Sequence, residues 1–266
     1  KPVAIFFAMS CATTIYTNLD SVMLGFMATN ADVGYYGAAV KIKNILVSIV
    51  TSLGTVLLPR AAYYIEHQQM DEFKKLSKKA LNFVFLVASP MMIYFMLFAK
   101  QGIYFLSGDA FGPAVVPMQL IMPTLLLIGI TNILGIQILV PLGYEKAVLV
   151  SEVVGAIIDL VVNALLIPVY QSSGAAIGTL LAEFAVMVVQ CIALKNEIKT
   201  AFSDIKYLKI ILAIILASLA SYWVVALNLH VFITLVISAI LFFGVYGLVL
   251  IITKEKLVIE ILTQIF

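Results

Sequence analysis

The chain has 266 residues, of which 63% are hydrophobic and only 11% are charged. An average soluble domain is about 25% charged, and even one large core would leave too little polar surface to cover this chain. The composition therefore excludes a soluble enzyme, a nucleic-acid-binding protein and a disordered chain. The formal net charge is +2, which is too small to argue for or against a charged partner. Cys11 and Cys191 lie within apolar blocks and are interpreted as small buried hydrophobic residues.

Long apolar blocks follow one another along the chain, and each has about the 20 residues that cross the hydrocarbon core as a helix. The sequence therefore predicts an all-α fold, a polytopic membrane helix bundle with about eight transmembrane helices. Three links are so short that their flanking helices must form antiparallel hairpins: Gly143–Lys146, Gln171–Ser173 and Asn228–His230. The blocks are Val3–Ala28, Tyr36–Leu58, Ala80–Ala99, Val116–Pro141, Ala147–Tyr170, Gly174–Leu194, Tyr207–Leu227 and Val231–Thr253.

The basic residues predict the orientation of the spans. With eight spans, thirteen of the sixteen Lys and Arg residues fall on the side of the N-terminus, and only Lys100 falls on the other side. Lys41 and Lys43 lie within a span. Cytoplasmic loops carry an excess of Lys and Arg, so both termini are expected to be cytoplasmic.

Two segments fit neither a span nor a plain loop. Ile65–Lys79 carries apolar residues at helical spacing with lysines on other faces. This pattern predicts an amphipathic helix on the cytoplasmic leaflet, or alternatively a solvated loop helix. Gly102–Pro113 is too polar to span and is expected to form an interfacial turn on the outer side.

Polar residues within the spans recur at helical spacing and therefore share helix faces. Lys43 points away from the polar face of the second span and is expected to snorkel to the outer interface. The faces comprise Ser10, Thr13, Thr17 and Asp20 in the first span; Lys41, Asn44, Ser48, Ser52 and Thr55 in the second; Glu152, Gly155, Asp159 and Asn163 in the fifth; and Ala176, Thr179 and Glu183 in the sixth.

These faces have two interpretations. Ser, Thr and Asn side chains commonly bind neighbouring helices together, and this explanation is favoured for them. Ionisable groups inside the membrane are expensive and usually functional, which favours a cavity or relay role for Asp20 and Asp159. For Lys41, snorkelling to the outer interface is an equal alternative. Glu152 lies close enough to water to be hydrated, and Glu183 is intermediate.

Helix breakers and small residues predict the shapes of particular spans. Pro90 falls in the middle of the third span, and Pro117 and Pro123 crowd the start of the fourth, where kinks are expected. Gly174, Gly178 and Ala182 form a ridge of small residues in the sixth span. This ridge predicts close packing on a neighbouring helix.

Recognisable catalytic patterns are missing from the sequence. There is no GxxxxGK[ST] phosphate loop and no HExxH pair, and the two histidines, His67 and His230, have no metal-ligating neighbours in sequence. The chain is therefore predicted to be a secondary transporter, not an enzyme, with no catalytic residue, no metal and no cofactor.

Several motifs resemble the bacterial polysaccharide flippases of the multidrug/oligosaccharidyl-lipid/polysaccharide exporter superfamily. They cover residues 20–183, and beyond them only the two-span tail matches. The motifs are Asp20–Gly25 (DSVMLG), Val33–Ile42 (VGYYGAAVKI), Leu58–Arg60 (LPR), Leu142–Lys146 (LGYEK), Asn163–Tyr170 (NALLIPVY), Gly174–Thr179 (GAAIGT) and Ala182–Glu183.

The resemblance implies a domain organisation. The eight spans are similar to the second half of a fourteen-helix flippase, with the first six-helix lobe missing from this chain and supplied by the same gene or by a separate chain. Residues 1–195 would be the second lobe, 196–206 a cytoplasmic linker, and 207–266 a two-helix tail. A chain of this kind would be a fragment or a natural half-transporter.

The resemblance also implies a function. Such a flippase moves undecaprenyl-diphosphate-linked oligosaccharide from the cytoplasmic to the outer leaflet of the bacterial cytoplasmic membrane for surface polysaccharide biosynthesis. A peptidoglycan-precursor flippase and an ion-coupled multidrug exporter are alternatives within the superfamily, and a membrane-embedded polysaccharide-assembly enzyme or subunit is a further one. The expected head-group contacts are Lys41, Arg60 and Asn44; the residues expected to couple H⁺ or Na⁺, or to line the cavity, are Asp20, Asp159, Glu183 and Asn163.

Overall fold

The computed structural model describes residues 2–194, 202 and 205–265, and almost all of them belong to helices. The predicted linker 196–206 lies mostly outside the described residues. The α-helices are α1 (Pro2–Met27), α2 (Asn30–Glu66), α3 (Met70–Leu97), α4 (Ala99–Ser107), α5 (Val115–Ile121), α6 (Thr124–Thr131), α7 (Glu145–Leu194), α8 (Tyr207–Tyr222), α9 (Val231–Ile252) and α10 (Lys256–Ile265). Two 3₁₀ helices (Asp109–Ala114 and Trp223–Leu227) and a π-helix (Asn132–Leu139) complete them.

The lengths of these helices confirm a polytopic membrane bundle. Among the described residues, five helices are long and apolar enough to cross a membrane, and the bent pair of segments Asp109–Ile121 and Thr124–Leu139 makes a sixth candidate. α7 has 50 residues and is broken at Gln171, whose φ of 52° is not helical, so it provides two segments of spanning length. α1 has 26 residues, which is also sufficient. Each of the eight apolar blocks thus corresponds to a helical segment.

Local sequence signals explain where the helices begin and bend. Thr29 precedes α2, and its hydroxyl accepts a hydrogen bond from the Asp32 amide at 3.2 Å while the Asp32 carboxylate accepts one from the Thr29 amide at 3.1 Å. This reciprocal pair satisfies two amides that the first turn of a helix leaves without partners. In the fourth span, the helix breaks at Pro123 and bends by 42°, as the proline predicts. Pro90 instead lies inside α3, which continues through it.

The two segments of α7 form a tight hairpin. A β-carbon on Gly174 would lie 2.5 Å from the Leu166 carbonyl oxygen, and one on Gly155 would lie 2.5 Å from a methyl group of Val186. Backbones can approach this closely only where the side chain is absent. The ridge of small residues therefore packs the second segment of α7 against the first, as predicted, and α1 runs alongside this hairpin.

Two predicted interfacial segments differ from the structure. Residues 65–79 do not form one surface helix: α2 ends at Glu66, and a new helix begins at Met70 and continues without a break into the third span. The reason is that Phe73, Ser77 and Ala80 form a buried face that already belongs to the bundle. Residues 102–113 form the end of α4 and a 3₁₀ helix instead of a simple turn.

The tail helices α8 and α9 pack on each other and on α3. Polar contacts fix α9 against α3, because the Tyr94 hydroxyl donates to the Leu235 carbonyl at 2.9 Å and the Tyr246 hydroxyl donates to the Leu86 carbonyl at 2.9 Å. The Phe85 ring contacts the Tyr207 ring edge to face at 5.3 Å, which places the start of α8 beside α3. The tail is therefore docked on the rest of the bundle.

Candidate functional site

A group of polar side chains lies buried where α1, α2 and both segments of α7 meet. All of its members are at most 8% exposed. In a membrane-spanning bundle, such residues need partners inside the protein and usually mark functional positions. The group, called the polar cluster below, comprises Asp20, Tyr36, Lys43, Asp159, Asn163, Thr179 and Glu183.

Asp20 accepts hydrogen bonds from three other members of the polar cluster. The hydroxyl groups of Tyr36 and Thr179 both donate to its Oδ2, the latter at 2.9 Å. Asn163 Nδ2 donates to Oδ1 at 2.6 Å. The Tyr36 and Thr179 hydroxyl oxygens are themselves 2.8 Å apart. Asp20 on α1 is therefore joined to α2 and to both segments of α7.

Asp159 is placed differently. It is fully buried, and both of its carboxylate oxygens lack a hydrogen-bond partner among the described residues. Asn163 Oδ1 is also buried without a partner within this part of the chain. Buried polar atoms are nearly always hydrogen-bonded in proteins, so three unsatisfied oxygens in one cluster require an explanation.

Helical spacing brings these groups together. Asp159 and Asn163 are four residues apart on the first segment of α7, and Thr179 and Glu183 are four apart on the second. A separation of four residues places side chains on one helix face. Because the two segments are antiparallel, these faces meet. Gly178 has no side chain, and the space beside it is occupied by the side-chain amide oxygen of Asn163 and a carboxylate oxygen of Asp159.

Lys43 corrects the sequence-based expectation. It does not snorkel to the interface; it is only 8% exposed and interacts electrostatically with Glu183, Asp20 and Asp159. Lys43 follows Tyr36 by seven residues, and Tyr36, Lys43 and Val50 form the packing face of α2. The polar stripe that begins at Lys41 and Asn44 suggests one packing face for α2. In the structure that stripe is exposed, and the face of Tyr36 and Lys43 packs against the bundle instead.

The predicted head-group residues lie outside the polar cluster. Lys41 and Asn44 are exposed on α2, together with Ser48 and Ser52, and Arg60 is exposed near the end of the same helix. α1 adds exposed polar residues at Thr13, Thr14, Thr17 and Asn18. The side chains of Ser10 and Thr55 are outside the described set. The term polar face is used below for Thr13, Thr14, Thr17, Asn18, Lys41, Asn44, Ser48 and Ser52.

Several residues of the polar face donate hydrogen bonds to the backbone of their own helix. The Thr17 hydroxyl donates to the Thr13 carbonyl at 2.8 Å, and the Ser48 hydroxyl donates to the Ile45 carbonyl at 2.7 Å. Near one end of this face, the Thr13 hydroxyl also donates to the half-buried Glu152 at 3.3 Å. Glu152 therefore ties α1 to α7 and is not part of the polar cluster.

Four members of the polar cluster are predicted as site residues from the sequence, and the structure brings them together: Asp20, Asp159, Asn163 and Glu183. Tyr36 and Lys43 are not predicted as site residues, and Thr179 is predicted only to share a helix face with Glu183. The signal that could have found them is the seven-residue spacing of Tyr36 and Lys43, which places both on the packing face of α2. No group of three or more His, Cys, Asp or Glu residues arranged to hold a metal ion occurs among the residues that the structure describes.

Comparisons with known proteins agree with this architecture. The sequence profile of a family described as polysaccharide biosynthesis protein matches residues 3–116. A protein provisionally named O-antigen transporter in Escherichia coli (strain K12) is 24% identical over 191 residues, which are 72% of this chain and 46% of that protein. A protein provisionally named flippase AglR in Haloferax volcanii is 22% identical over 194 residues, which are 70% of this chain and 39% of that protein.

A solved structure shares the fold. The inward closed conformation of the lipid II flippase MurJ aligns with a TM-score of 0.73 and covers 94% of this chain and 53% of that chain, at 15% sequence identity. This likeness shows the fold alone, which is that of a multi-pass helical membrane protein. The comparisons confirm the resemblance to the polysaccharide flippases of the multidrug/oligosaccharidyl-lipid/polysaccharide exporter superfamily. The relatives named here are transporters and flippases, not enzymes, and the chain spans less than half the length of these curated relatives.

Proposed function

We propose that the chain is the second lobe, with its two-helix tail, of a flippase for undecaprenyl-diphosphate-linked oligosaccharide. In this proposal residues 1–195 form the lobe, 196–206 the linker and 207–266 the tail, and both termini are cytoplasmic. The transporter moves its substrate from the cytoplasmic to the outer leaflet of the bacterial cytoplasmic membrane. In this proposal the second lobe works with a first lobe of six helices, which belongs either to the same polypeptide or to a separate one.

The observation that carries the proposal is the polar face. Exposed Thr, Asn, Ser and Lys side chains on two adjacent spanning helices would be costly against lipid. Polar surface at this depth is tolerated where it lines a water-filled cavity or contacts another protein element. A cavity between two lobes meets this requirement and gives the sugars and diphosphate a hydrated path across about 30 Å of hydrocarbon.

The cations near this face have the chemistry that the substrate needs. Lys41 would pair with the diphosphate, Asn44 would hydrogen-bond the phosphates or sugars, and Arg60 would contact the head group at the cytoplasmic mouth. Arg and Lys form charge-assisted hydrogen bonds with phosphate, which are about twice as strong as neutral ones. The polyprenyl tail would stay in lipid beside the bundle.

The polar cluster supplies a means of coupling. Its three carboxyl groups, Asp20, Asp159 and Glu183, face one ammonium group, that of Lys43, so the fully ionised cluster has a charge of −2. Buried charge in a membrane is stable only when it is compensated. H⁺ or Na⁺ would provide the compensation, and the unsatisfied oxygens of Asp159 and Asn163 are of the type that hard cations prefer.

Coupling can reach the polar face through α1 and α2. Asp20 lies on α1 and Tyr36 on α2, and both are joined to α7 through the polar cluster. Binding of a cation to Asp159 and Asn163 would change how the α7 hairpin holds these two helices. The polar face lies on the same two helices, so its position relative to the opposite lobe would change with occupancy.

A flipping assay tests the coupling. The product of the intact reading frame is placed in vesicles with a fluorescent undecaprenyl-diphosphate sugar, and head-group exposure is followed under a Na⁺ or a H⁺ gradient. We expect Asp20→Asn and Asp159→Asn to lower the gradient-driven rate at least tenfold. The matched control Asp109→Asn removes a carboxylate outside the polar cluster and should leave the rate unchanged. Unchanged transport in both cluster variants would refute the coupling role.

The alternatives differ in substrate. The structural match to a lipid II flippase supports the shared fold, but this chain has a single arginine, whereas the resemblance implies an arginine-rich cavity for peptidoglycan precursors. A multidrug exporter would be expected to lack the two tail helices. Competition between the oligosaccharide lipid and a peptidoglycan precursor in the same vesicles decides between the first two substrates.

The two-lobe organisation has a separate test in the genome. If the reading frame upstream of the Lys1 codon continues through about six further apolar spans, the two lobes belong to one protein. A second gene that encodes those spans and whose product copurifies with this chain would also support the proposal. A start codon just before Lys1, with no such gene and an active eight-span chain, would contradict it.

A further inference from the structure

We propose that a lysine-lined cavity at one end of the bundle binds the phosphate-bearing head group of an anionic phospholipid. The cavity has a volume of about 540 Å³. It is separate from the polar cluster and the polar face, and the proposal does not depend on which substrate the protein transports. The term lysine pocket is used below for its six basic lining residues, Lys74, Lys75, Lys78, Lys79, Lys206 and Lys256, together with Asp71, Asn82, Glu255, Leu257 and Glu260.

Three helix termini meet at the lysine pocket. The first turns of α3 contribute four of the lysines, Lys206 precedes α8, and Lys256 begins α10 just after the end of α9. Each of α3, α8 and α9 continues into a candidate membrane span. The pocket therefore lies at the depth where phospholipid head groups meet the ends of spanning helices, and basic pockets in this position bind anionic head groups.

The charge of the lining favours an anion. Six lysines are opposed by Asp71, Glu255 and Glu260, which leaves an excess of +3 in the lining. Among the described residues, Glu72 binds Lys75 at 2.7 Å and reduces the formal excess to +2. This excess attracts a phosphodiester with one negative charge, and a head group with two such phosphates would neutralise it.

Two of the carboxylates hold the pocket together. Glu260 binds Lys79 at 2.5 Å and so fastens α10 to α3. Glu255 is 1% exposed, accepts a hydrogen bond from Asn82 Nδ2 at 3.1 Å, and accepts another from the Val258 amide at 3.0 Å. The buried Glu255 therefore fixes one wall of the pocket before any ligand binds, which lowers the entropic cost of binding.

The base of the pocket offers a hydrogen-bond acceptor. Asn82 Oδ1 is buried and has no hydrogen-bond partner among the residues described. A phosphate oxygen could not satisfy it, because both atoms are acceptors. A hydroxyl group on the head group would, and phosphatidylglycerol carries both the phosphate and the hydroxyls.

The apolar surface beside the pocket favours a lipid over a soluble phosphate compound. Leu208 follows Lys206 by two residues and is 80% exposed, and Ile252 at the end of α9 is 76% exposed. Ile211 and Ile215 continue the exposed apolar surface along α8. Acyl chains of a phospholipid whose head group occupies the pocket would pack along these side chains.

Native mass spectrometry of the full chain in detergent tests the proposal. The probes are phosphatidylglycerol, zwitterionic phosphatidylcholine and the soluble compound glycerol 1-phosphate. We expect one saturable phosphatidylglycerol site that phosphatidylcholine occupies at least tenfold more weakly. The double variant Lys206→Gln/Lys256→Gln should weaken this site about 25-fold at low salt, given roughly fivefold for each lysine near an anionic group.

Matched controls separate a pocket from a general charge effect. Lys100→Gln/Lys146→Gln removes the same net charge outside the lysine pocket and should leave binding unchanged. Lys206→Arg/Lys256→Arg keeps the charge and should retain binding, while equal melting temperatures show that the variants fold. Phosphatidic acid lacks the head-group glycerol and its hydroxyls. Asn82→Ala should therefore lower the ratio of phosphatidylglycerol affinity to phosphatidic acid affinity.

Three results would overturn the proposal. One is equal binding by the pocket variant and the Lys100/Lys146 control variant. Another is full competition by glycerol 1-phosphate at the same concentration as the lipid, which would make the ligand a soluble phosphate compound. The third is displacement by an undecaprenyl-diphosphate lipid at lower concentration than phosphatidylglycerol needs, which would assign the site to a transported substrate.

Discussion

Asp20 depends on donors from three different helical segments. The Tyr36 hydroxyl comes from α2, and Asn163 and Thr179 come from the two segments of α7. A carboxylate buried in a spanning helix is stable only with such partners. Since each donor lies on a separate segment, the hydrogen bonds of Asp20 also fix how those segments sit against α1.

The Tyr36 hydroxyl is expected to contribute measurably to stability. Tyr36→Phe removes a donor to Asp20 and keeps the ring, so the free energy of unfolding should fall by about 1–2 kcal/mol. The matched control is Tyr35→Phe. The Tyr35 ring packs on the Phe111 ring at a centroid distance of 5.7 Å, and phenylalanine keeps this contact. Titration with SDS in detergent micelles measures both variants. Equal stability of the two would show that the buried hydroxyl contributes little.

The α7 hairpin positions four of the seven members of the polar cluster. Its two segments touch through positions that lack side chains, among them Gly155, Gly174 and Gly178. A β-carbon at Gly178 would meet the Asn163 amide and the Asp159 carboxylate. Close packing and the placement of these polar groups are therefore one structural feature.

Gly178→Ala should disturb both packing and the polar cluster. The added methyl group must displace Asn163, and overpacking of a tight contact typically costs about 1–3 kcal/mol. The control Gly247→Ala lies in α9, where a β-carbon would have no neighbour within 4 Å. Alanine there should leave the free energy of unfolding unchanged or raise it by up to about 1 kcal/mol.

Thermal unfolding with and without Na⁺, at two pH values, measures both the loss of packing stability and any loss of ion binding by the polar cluster. The wild-type protein and Gly247→Ala should gain stability from the coupling ion, and Gly178→Ala should gain less. If the ion stabilises Gly178→Ala as much as the wild-type protein, ion binding does not depend on the hairpin contact at Gly178.

Among the described residues of the spanning helices, the bundle exposes both a polar face and much apolar surface. The polar face lies on α1 and α2, whereas α8 and α9 expose large apolar side chains such as Leu219 and Ile240. Apolar side chains in contact with lipid need no partner. The polar face does, and it marks the side of the bundle where a second lobe and a hydrated cavity would lie.

Water accessibility distinguishes these surfaces. In a background with Cys11 and Cys191 replaced by alanine, Ser48→Cys in membranes should react quickly with a charged methanethiosulfonate reagent. The native Ile240 side chain on α9 is 68% exposed and would face lipid. Ile240→Cys should therefore react at least tenfold more slowly than Ser48→Cys. Equally slow labelling at both positions would argue against a hydrated cavity.

The presence and order of the spanning helices could be predicted from the sequence, although α2 and α3 extend well beyond the predicted blocks Tyr36–Leu58 and Ala80–Ala99. A membrane helix satisfies its backbone hydrogen bonds within its own segment, so a local run of apolar residues is sufficient to define it. Pro123 likewise acts locally, because the missing amide breaks the helix at that residue. The break at Gln171 and the contacts of Gly174 followed from a short polar link and a ridge of small residues.

The faces of those helices were harder to assign. In a soluble protein the buried face of a helix is the apolar one, but in a membrane both lipid and the protein interior are apolar. The polar stripe at Lys41 and Asn44 therefore gave no reliable indication of which side of α2 packs. Tertiary packing placed Tyr36 and Lys43 inward and left Lys41 exposed.

The polar cluster combines both kinds of information. The pairs Asp159–Asn163 and Thr179–Glu183 follow from four-residue spacing within one helix, which is visible in the sequence. Their meeting with Asp20 and Tyr36 requires contacts across more than 100 positions of the chain, as between Asn163 and Asp20. Local hydrogen bonding and hydrophobicity thus define the helices, whereas only the packing of four segments against one another decides which polar groups share a buried site.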